Sequence, residues 1–358
     1  MVARSEPIVA ARARPFERLR TRRAFAFGAA AGLLVLALIL GIGLGTVAVS
    51  PGETLGILAR RILGIPVPQT WSASTEAIVM DLRLPRVLSA MVVGLGLAVA
   101  GATFQGLLRN PLADPYVLGT ASGAALGAAI AVLIPVRIVI FEFGLLHGLA
   151  FVGALTAVWV VYRLSRTGGL SPMTSLLLTG YAVGSLLAAG LAMAMYLSGA
   201  NLRQIFFYLL GSLDGVSWLQ LTVAAPIVIS TGAAILLRAR SLDGFLLGEE
   251  AAAHLGVDVR RERAILLGLA SLLTAAAVAI AGLIGFVGLV VPHVVRLVVG
   301  PGARSVLPLA ALLGAGLLTF ADLGARLFGE IPVGVVTALA GAPFFLFLLR
   351  STKGGYEL

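Results

Sequence analysis

The chain has 358 residues, of which 59% are hydrophobic and only 12% charged, with a mean hydropathy of +1.04. Globular domains carry roughly 25% charged residues, so a soluble domain is excluded and an all-α polytopic membrane protein is expected. The formal net charge is +10, but the basic residues sit at the ends of apolar runs and form no stripe interleaved with aromatics, which argues against a nucleic-acid partner. Cys is absent, removing disulfides, thiolate catalysis and Cys-ligated metals.

An Arg-rich tail, residues 1–23, carries seven arginines. The apolar run behind it, 24–49, is longer than the roughly 7–15-residue core of a signal peptide, so a retained first span is expected. Further spans are predicted at 87–108, 116–136, 143–162, 172–197, 218–237, 264–283, 285–299, 306–327 and 331–349, making ten. The eighth is short and contains Pro292. With the N-terminus inside, 19 of the 26 Lys and Arg residues fall on the cytoplasmic side and seven, Arg137 among them, on the other. That bias places both termini, the 351–358 tail and the segment 238–263 in the cytoplasm. AVAG at 98–101 echoes AIAG at 279–282, and each is followed by a proline, Pro111 or Pro292. The two spans are expected to run in opposite directions, as in an inverted repeat. The 44 glycines and abundant alanine suit close helix packing in a bilayer.

Residues 238–263 break the apolar pattern, with ten of 26 positions charged. Ser241 or Asp243 is suited to cap a helix start, Glu249 and Glu250 suit its first turn, and Gly256 suits the C′ position. The helix, 248–255, would be about 12 Å long. Ala251, Ala252 and Leu255 make a small apolar patch, with Glu250 and His254 at i, i+4 on a neighbouring face. Two readings are open: a solvated connector, or a helix on which a partner docks.

Other positions carry paired readings. Arg83 and Arg86 precede the second span, and Arg326 ends the ninth on the same outer side. They either snorkel and pair with Asp81 and Asp322, or grip acidic residues of a partner. Asn110 and Pro111 read as a tight cytoplasmic turn, with Pro115 starting the third span. His147, Met193, Met195 and Tyr196 lie in outer halves of spans four and five, where packing competes with haem ligation. There is no Gly-x-x-x-x-Gly-Lys-Ser/Thr, and the only lysine is Lys353 in the tail, so ATP-driven work would need a partner. No His or carboxylate pair has metal-site spacing and no catalytic set is present, so neither an enzyme nor a cofactor is expected. An ion-coupled secondary transporter is the alternative, for which Asp322 is the one intramembrane carboxylate available.

EAAAHLG at 250–256 fits the EAA-x-x-x-G pattern of ABC-importer permeases, although the Ile-x-Leu-Pro of the longer form is missing; Ile265 is followed by Leu266, Leu267 and Gly268. RLPR (83–86), QGLLRNPLADP (105–115), GSLDGVSW (211–218), GFVGLVVPH (285–293) and IPVGVVTALAGAPFF (331–345) follow in order. Together, over about residues 45–350, they resemble the FecCD-type ABC importer permeases, which take up iron–siderophores, haem and cobalamin. The resemblance implies a ten-helix permease domain over 24–350 in the bacterial cell (inner) membrane. It implies a homodimer around a central pathway, two ATPase subunits, and one periplasmic or lipid-anchored binding protein. Leu247, Gly248, Glu249, Glu250, Ala252, Leu255 and Gly256 would then be the ATPase-coupling residues. Arg83, Arg86 and Arg326 would dock the binding protein, as matching positions do in the cobalamin member. The region opening the fifth span would form the cytoplasmic gate at Met173, Thr174 and Ser175, where Pro172 and Met173 replace the family's small hydroxyl residues. Capping by Ser171 is the simpler reading there.

Overall fold

The structure, a computed structural model, describes residues 8–134, 139–140, 143–166 and 172–351. Side chains of residues 8–19 and of a few positions beside the gaps fall outside that description, as do Arg137, Ser171 and Lys353.

In chain order the helices are α1 (Ile8–Gly43), α2 (Pro51–Arg61), α3 (Ala73–Ala77), α4 (Leu84–Leu107), α5 (Thr120–Leu133), α6 (Leu145–Ser165), α7 (Pro172–Leu197), α8 (Leu202–Leu210), α9 (Trp218–Leu237), α10 (Ala239–Leu246), α11 (Glu249–His254), α12 (Val259–Ala281), α13 (Val287–Val299), α14 (Ala303–Leu327) and α15 (Val333–Ser351). A π-helical stretch, Ile78–Arg83, joins α3 to α4. Val139–Ile140 pairs antiparallel with Phe143–Gly144 in a two-residue ladder. Each of the ten expected spans has its helix. Seven are long and apolar enough to cross a bilayer, and α5, α13 and α15 supply shorter apolar helices.

Several boundaries differ from expectation, and the first span ends at Gly43 and not near 49. The second span begins at Ala73, not near 87, so Arg83 and Arg86 lie within the helical run and do not precede it. The third begins at Thr120 and not at Pro115, because residues 111–119 are held as successive turns. Asn110 Oδ1 accepts from the Leu112 amide at 2.9 Å and Asp114 Oδ1 from the Tyr116 amide at 2.8 Å. The Tyr116 hydroxyl then donates to Ile284 O at 3.0 Å and accepts from Ile284 N at 3.2 Å, pinning this turn to the α12–α13 break.

Helix α4 forms the centre of the bundle. Its span is 78% buried and that of α12 72%, against 11% for α7, so α4 is wrapped by protein while α7 faces outward. The wrapping depends on small residues. A Cβ on Gly94 would strike the Gly314 carbonyl of α14, and one on Gly101 the Gly288 carbonyl of α13. Bilayer helices gain mainly by such close backbone approach, since lipid is as apolar as their side chains. Near one end of α4, Arg86 meets Asp322 of α14, while Gly94 meets Gly314, so the two helices are antiparallel. Helix α12 also opposes α4: it starts beside the α9–α10 junction, where α10 packs on Gly106 through Leu242, and passes Gly96 at Leu273. The AVAG and AIAG segments therefore run in opposite directions, as an inverted repeat requires.

Candidate functional site

The bundle has two polar ends. At one, α1 stops at Gly43 and leaves carbonyls that no further turn can satisfy. Arg83 answers them, donating through Nη1 to Ile42 O at 3.0 Å and Gly43 O at 2.9 Å, and through Nη2 to Val47 O. Arg326 donates to Leu44 O at 3.3 Å. A cation at a helix C-terminus also opposes the macrodipole. Beside this cap, Asp322 is fully buried and bridges two arginines, with Arg86 Nε 2.9 Å from Oδ1 and Arg326 Nε 3.1 Å from Oδ2. Arg86 Nη1 lies 2.9 Å from Glu330 and 3.6 Å from Asp214. All six of these side chains except Asp322 line a crevice of about 360 Å³.

The arginines singled out from the sequence are thus brought together, but they do not project as knobs. Arg83 is 5% exposed and Arg326 3%. Arg83 turns to the α1 carbonyls and not to Asp81, whereas the i, i+4 pairing of Arg326 with Asp322 is present. Asp322, the carboxylate that an ion-coupled transporter would use, is held between these two arginines.

At the opposite end, α10 and α11 form a short helical pair. Ser241 and Asp243 do not cap α11, because they lie inside α10, a helix not anticipated from the sequence. Asp243 Oδ1 instead accepts from Ala303 N at 2.6 Å, fastening α10 to the start of α14. Gly248, at φ 108°, starts α11. Gly256 sits at C′ with φ 82°, the left-handed region where a Cβ is costly. Its amide bonds Ala253 O at 2.9 Å while Val257 N bonds Ala252 O at 3.0 Å, the paired closure of a Schellman motif. The expected apolar patch is split: Ala252 is fully buried against α10, whereas Leu255 points out with Leu247, each 67% exposed. Glu249 pairs with Arg263 of α12, and Glu250 stays exposed. Arg263 also lies 6.0 Å from the buried Phe245 ring. The segment therefore presents Leu247, Glu250 and Leu255 outward from a fixed base.

Residues 33–351 match the FecCD transport family. The chain belongs to that family. It is 44% identical over 304 residues to the Halobacterium salinarum cobalamin import system permease protein BtuC, covering 85% of this chain and 80% of the relative. It is 42% identical to the hemin transport system permease protein HmuU of Yersinia pestis (82% and 91% covered). A 38% identity links it to the Fe(3+)-citrate import system permease protein YfmD of Bacillus subtilis (79% and 84% covered). A solved structure described as an inward-facing metal-chelate type ABC transporter superposes with a TM-score of 0.78 at 30% identity, over 92% of this chain and 99% of that one. This FecCD chain is a multi-pass membrane permease subunit of an ABC transporter; the family is a permease family without its own ATPase.

Other sequence candidates separate within this FecCD fold. Ser175 Oγ donates to Ser165 O at 2.8 Å, tying α7 to the end of α6, while Met173 is half-buried and Thr174 exposed. His147 is held 3.4 Å from Gln220 of α9, while Met193 and Tyr196 are exposed on α7. Three functional groups escaped the sequence reading. Asp214 and Glu330 reach Arg86 from 128 and 244 positions away, and no spacing rule links them. Arg296 of α13 donates to Gln105 and, at 3.0 Å, to Ala102 O of α4, a pair 191 positions apart.

Proposed function

We propose that this chain is the membrane-spanning subunit of an ATP-driven importer for a metal complex held by a large organic ligand: cobalamin, haem or an iron chelate. The match over residues 33–351, joined to relatives named for cobalamin, hemin and Fe(3+)-citrate, carries this reading. Two copies pair around a central pathway in the bacterial cell (inner) membrane, with both termini cytoplasmic.

Two ATPase subunits dock at the α10–α11 end. Leu247 and Leu255 are the apolar contacts and Glu250 the polar one, while Gly248, Ala252 and Gly256 set the shape of the base. Glu249 holds α11 on α12 through Arg263, so closure of the ATPase dimer is transmitted into a span whose window is 72% buried. The periplasmic or lipid-anchored binding protein docks on the Arg83–Arg86–Arg326 end. Met173 and Thr174 narrow the cytoplasmic gate, with Ser175 anchoring the start of α7.

Proteoliposomes holding the permease with its ATPase and binding protein test this. Uptake of radiolabelled cobalamin, hemin or ferric citrate is expected to need ATP and the binding protein and to be stopped by vanadate. Uptake driven by a proton gradient alone would overturn it.

A further inference from the structure

At the crevice of the α2 end three carboxylates, Asp322, Glu330 and Asp214, converge on the single guanidinium of Arg86. Asp322 alone bridges Arg86 and Arg326, with one oxygen on each. Two further carboxylates, Glu330 and Asp214, converge on Nη1 of Arg86 at 2.9 and 3.6 Å. Their side chains are 40% and 77% exposed, against none for Asp322. An exposed ion pair contributes little to stability, whereas a buried one cannot be broken cheaply. Arg86 therefore has a permanent partner and two replaceable ones.

The replaceable partners sit on turns that backbone hydrogen bonds already hold at this end of the bundle. Glu330 has φ 59°, a left-handed conformation that a non-glycine residue adopts at a cost, directly after Gly329 at φ 92°. Its segment leads into α15, and the Gly334 amide bonds Gly211 O at 3.2 Å. Asp214 lies in the 211–217 turn, where Ser212 N bonds Ala281 O at 2.8 Å at the end of α12. The two placeholders thus belong to one linked set of turns that joins the ends of α12, α14 and α15.

We propose that Asp214 and Glu330 are displaceable stand-ins, occupying Arg86 until acidic side chains of the binding protein take their place. The inference rests on the reading of this end as the docking face. Charge complementarity selects the occupant: an acidic surface segment, narrow enough for a crevice of about 360 Å³, that offers carboxylates to Arg86. Exchange removes the Arg86 links of the turns at 211–217 and 328–332 and leaves only their backbone hydrogen bonds, so docking loosens the outer ends of α12, α14 and α15. In the undocked permease the same contacts hold those ends together.

The test uses the assembled importer in nanodiscs without nucleotide and a fluorophore-labelled, cargo-free cognate binding protein. The double variant Asp214→Asn, Glu330→Asn removes the competing charges, and Asn tolerates the left-handed backbone at 330. Affinity is expected to rise about tenfold, and amides 329–334 of the undocked permease are expected to exchange faster with deuterium. Unchanged or weakened affinity overturns the proposal. Because the chain has no Cys, Thr46→Cys on the crevice wall gives a single thiol for a bifunctional crosslinker. A crosslink to the binding protein with affinity unmoved by the double variant defeats the stand-ins and leaves the docking reading intact. Binding without any crosslink defeats both.

Discussion

The two polar ends of the bundle hold similar residues and use them in opposite ways. At the α2 end, Arg83, Arg326 and Asp322 are buried and Arg86 largely so, and each charge is matched by a carbonyl or a counter-ion. At the α11 end, Glu250, Arg260 and Arg261 stay in solvent, while Glu249–Arg263, Arg238–Glu262 and Asp243 with the Ala303 amide tie the segment to the bundle. Desolvation explains the difference. A buried charge is tolerable only with its partners fixed, so the first end is structural at its floor and changeable only at its rim. A solvated charge contributes little to folding, so the second end can change its contacts without unfolding the spans.

The sharpest way to break this contrast is Asp322→Ala, which leaves Arg86 and Arg326 buried without their shared carboxylate. A loss of about 3–5 kcal/mol is expected, read as collapse of the thermal transition and of monodisperse protein in detergent. The combination Asp322→Leu, Arg86→Met, Arg326→Met should regain most of the stability but not binding-protein docking. Stability unaffected by the single change would mean that the cluster is solvated after all.

At the other end the expected effect falls on transport. Leu255→Asp should weaken ATPase docking by about 2 kcal/mol or more while changing stability by less than about 0.5 kcal/mol. ATPase co-purification alongside a melting curve measures both, and a parallel fall in the two would erase the distinction between the ends. Gly256→Ala forces a Cβ into the left-handed region and should cost about 1–2 kcal/mol locally, seen as faster amide exchange over 249–257 and weaker coupling of hydrolysis to uptake. Smallest is Glu249→Gln, about 0.5–1 kcal/mol, visible as a partial loss of stimulated ATPase activity that high salt mimics in the unaltered protein.

Local features were legible in the sequence where one segment supplied all the physics. Gly256 was readable because helix closure by a left-handed glycine needs only its own turn. Pairing of Asp322 with Arg326 was readable from i, i+4 spacing. Helix α10 was not, since its apolar face, with Leu242 against Gly106 and Phe245 beneath Arg263, is defined only by what packs on it. The start of α5 was misplaced for the same kind of reason. Tyr116 satisfies Ile284 across the bundle, and that distant contact holds 111–119 in turns.

The sequence by itself determined that the chain is a ten-helix membrane permease of this family, because apolar run length, basic-residue placement and ordered motifs are one-dimensional signals. Tertiary structure alone decided which charges are spent and which are available. Arg86 meets Asp214, Asp322 and Glu330 only after α4, α14 and two turns converge on it. Burial is a property of the packed bundle, and burial is what separates a structural arginine from one that can exchange partners.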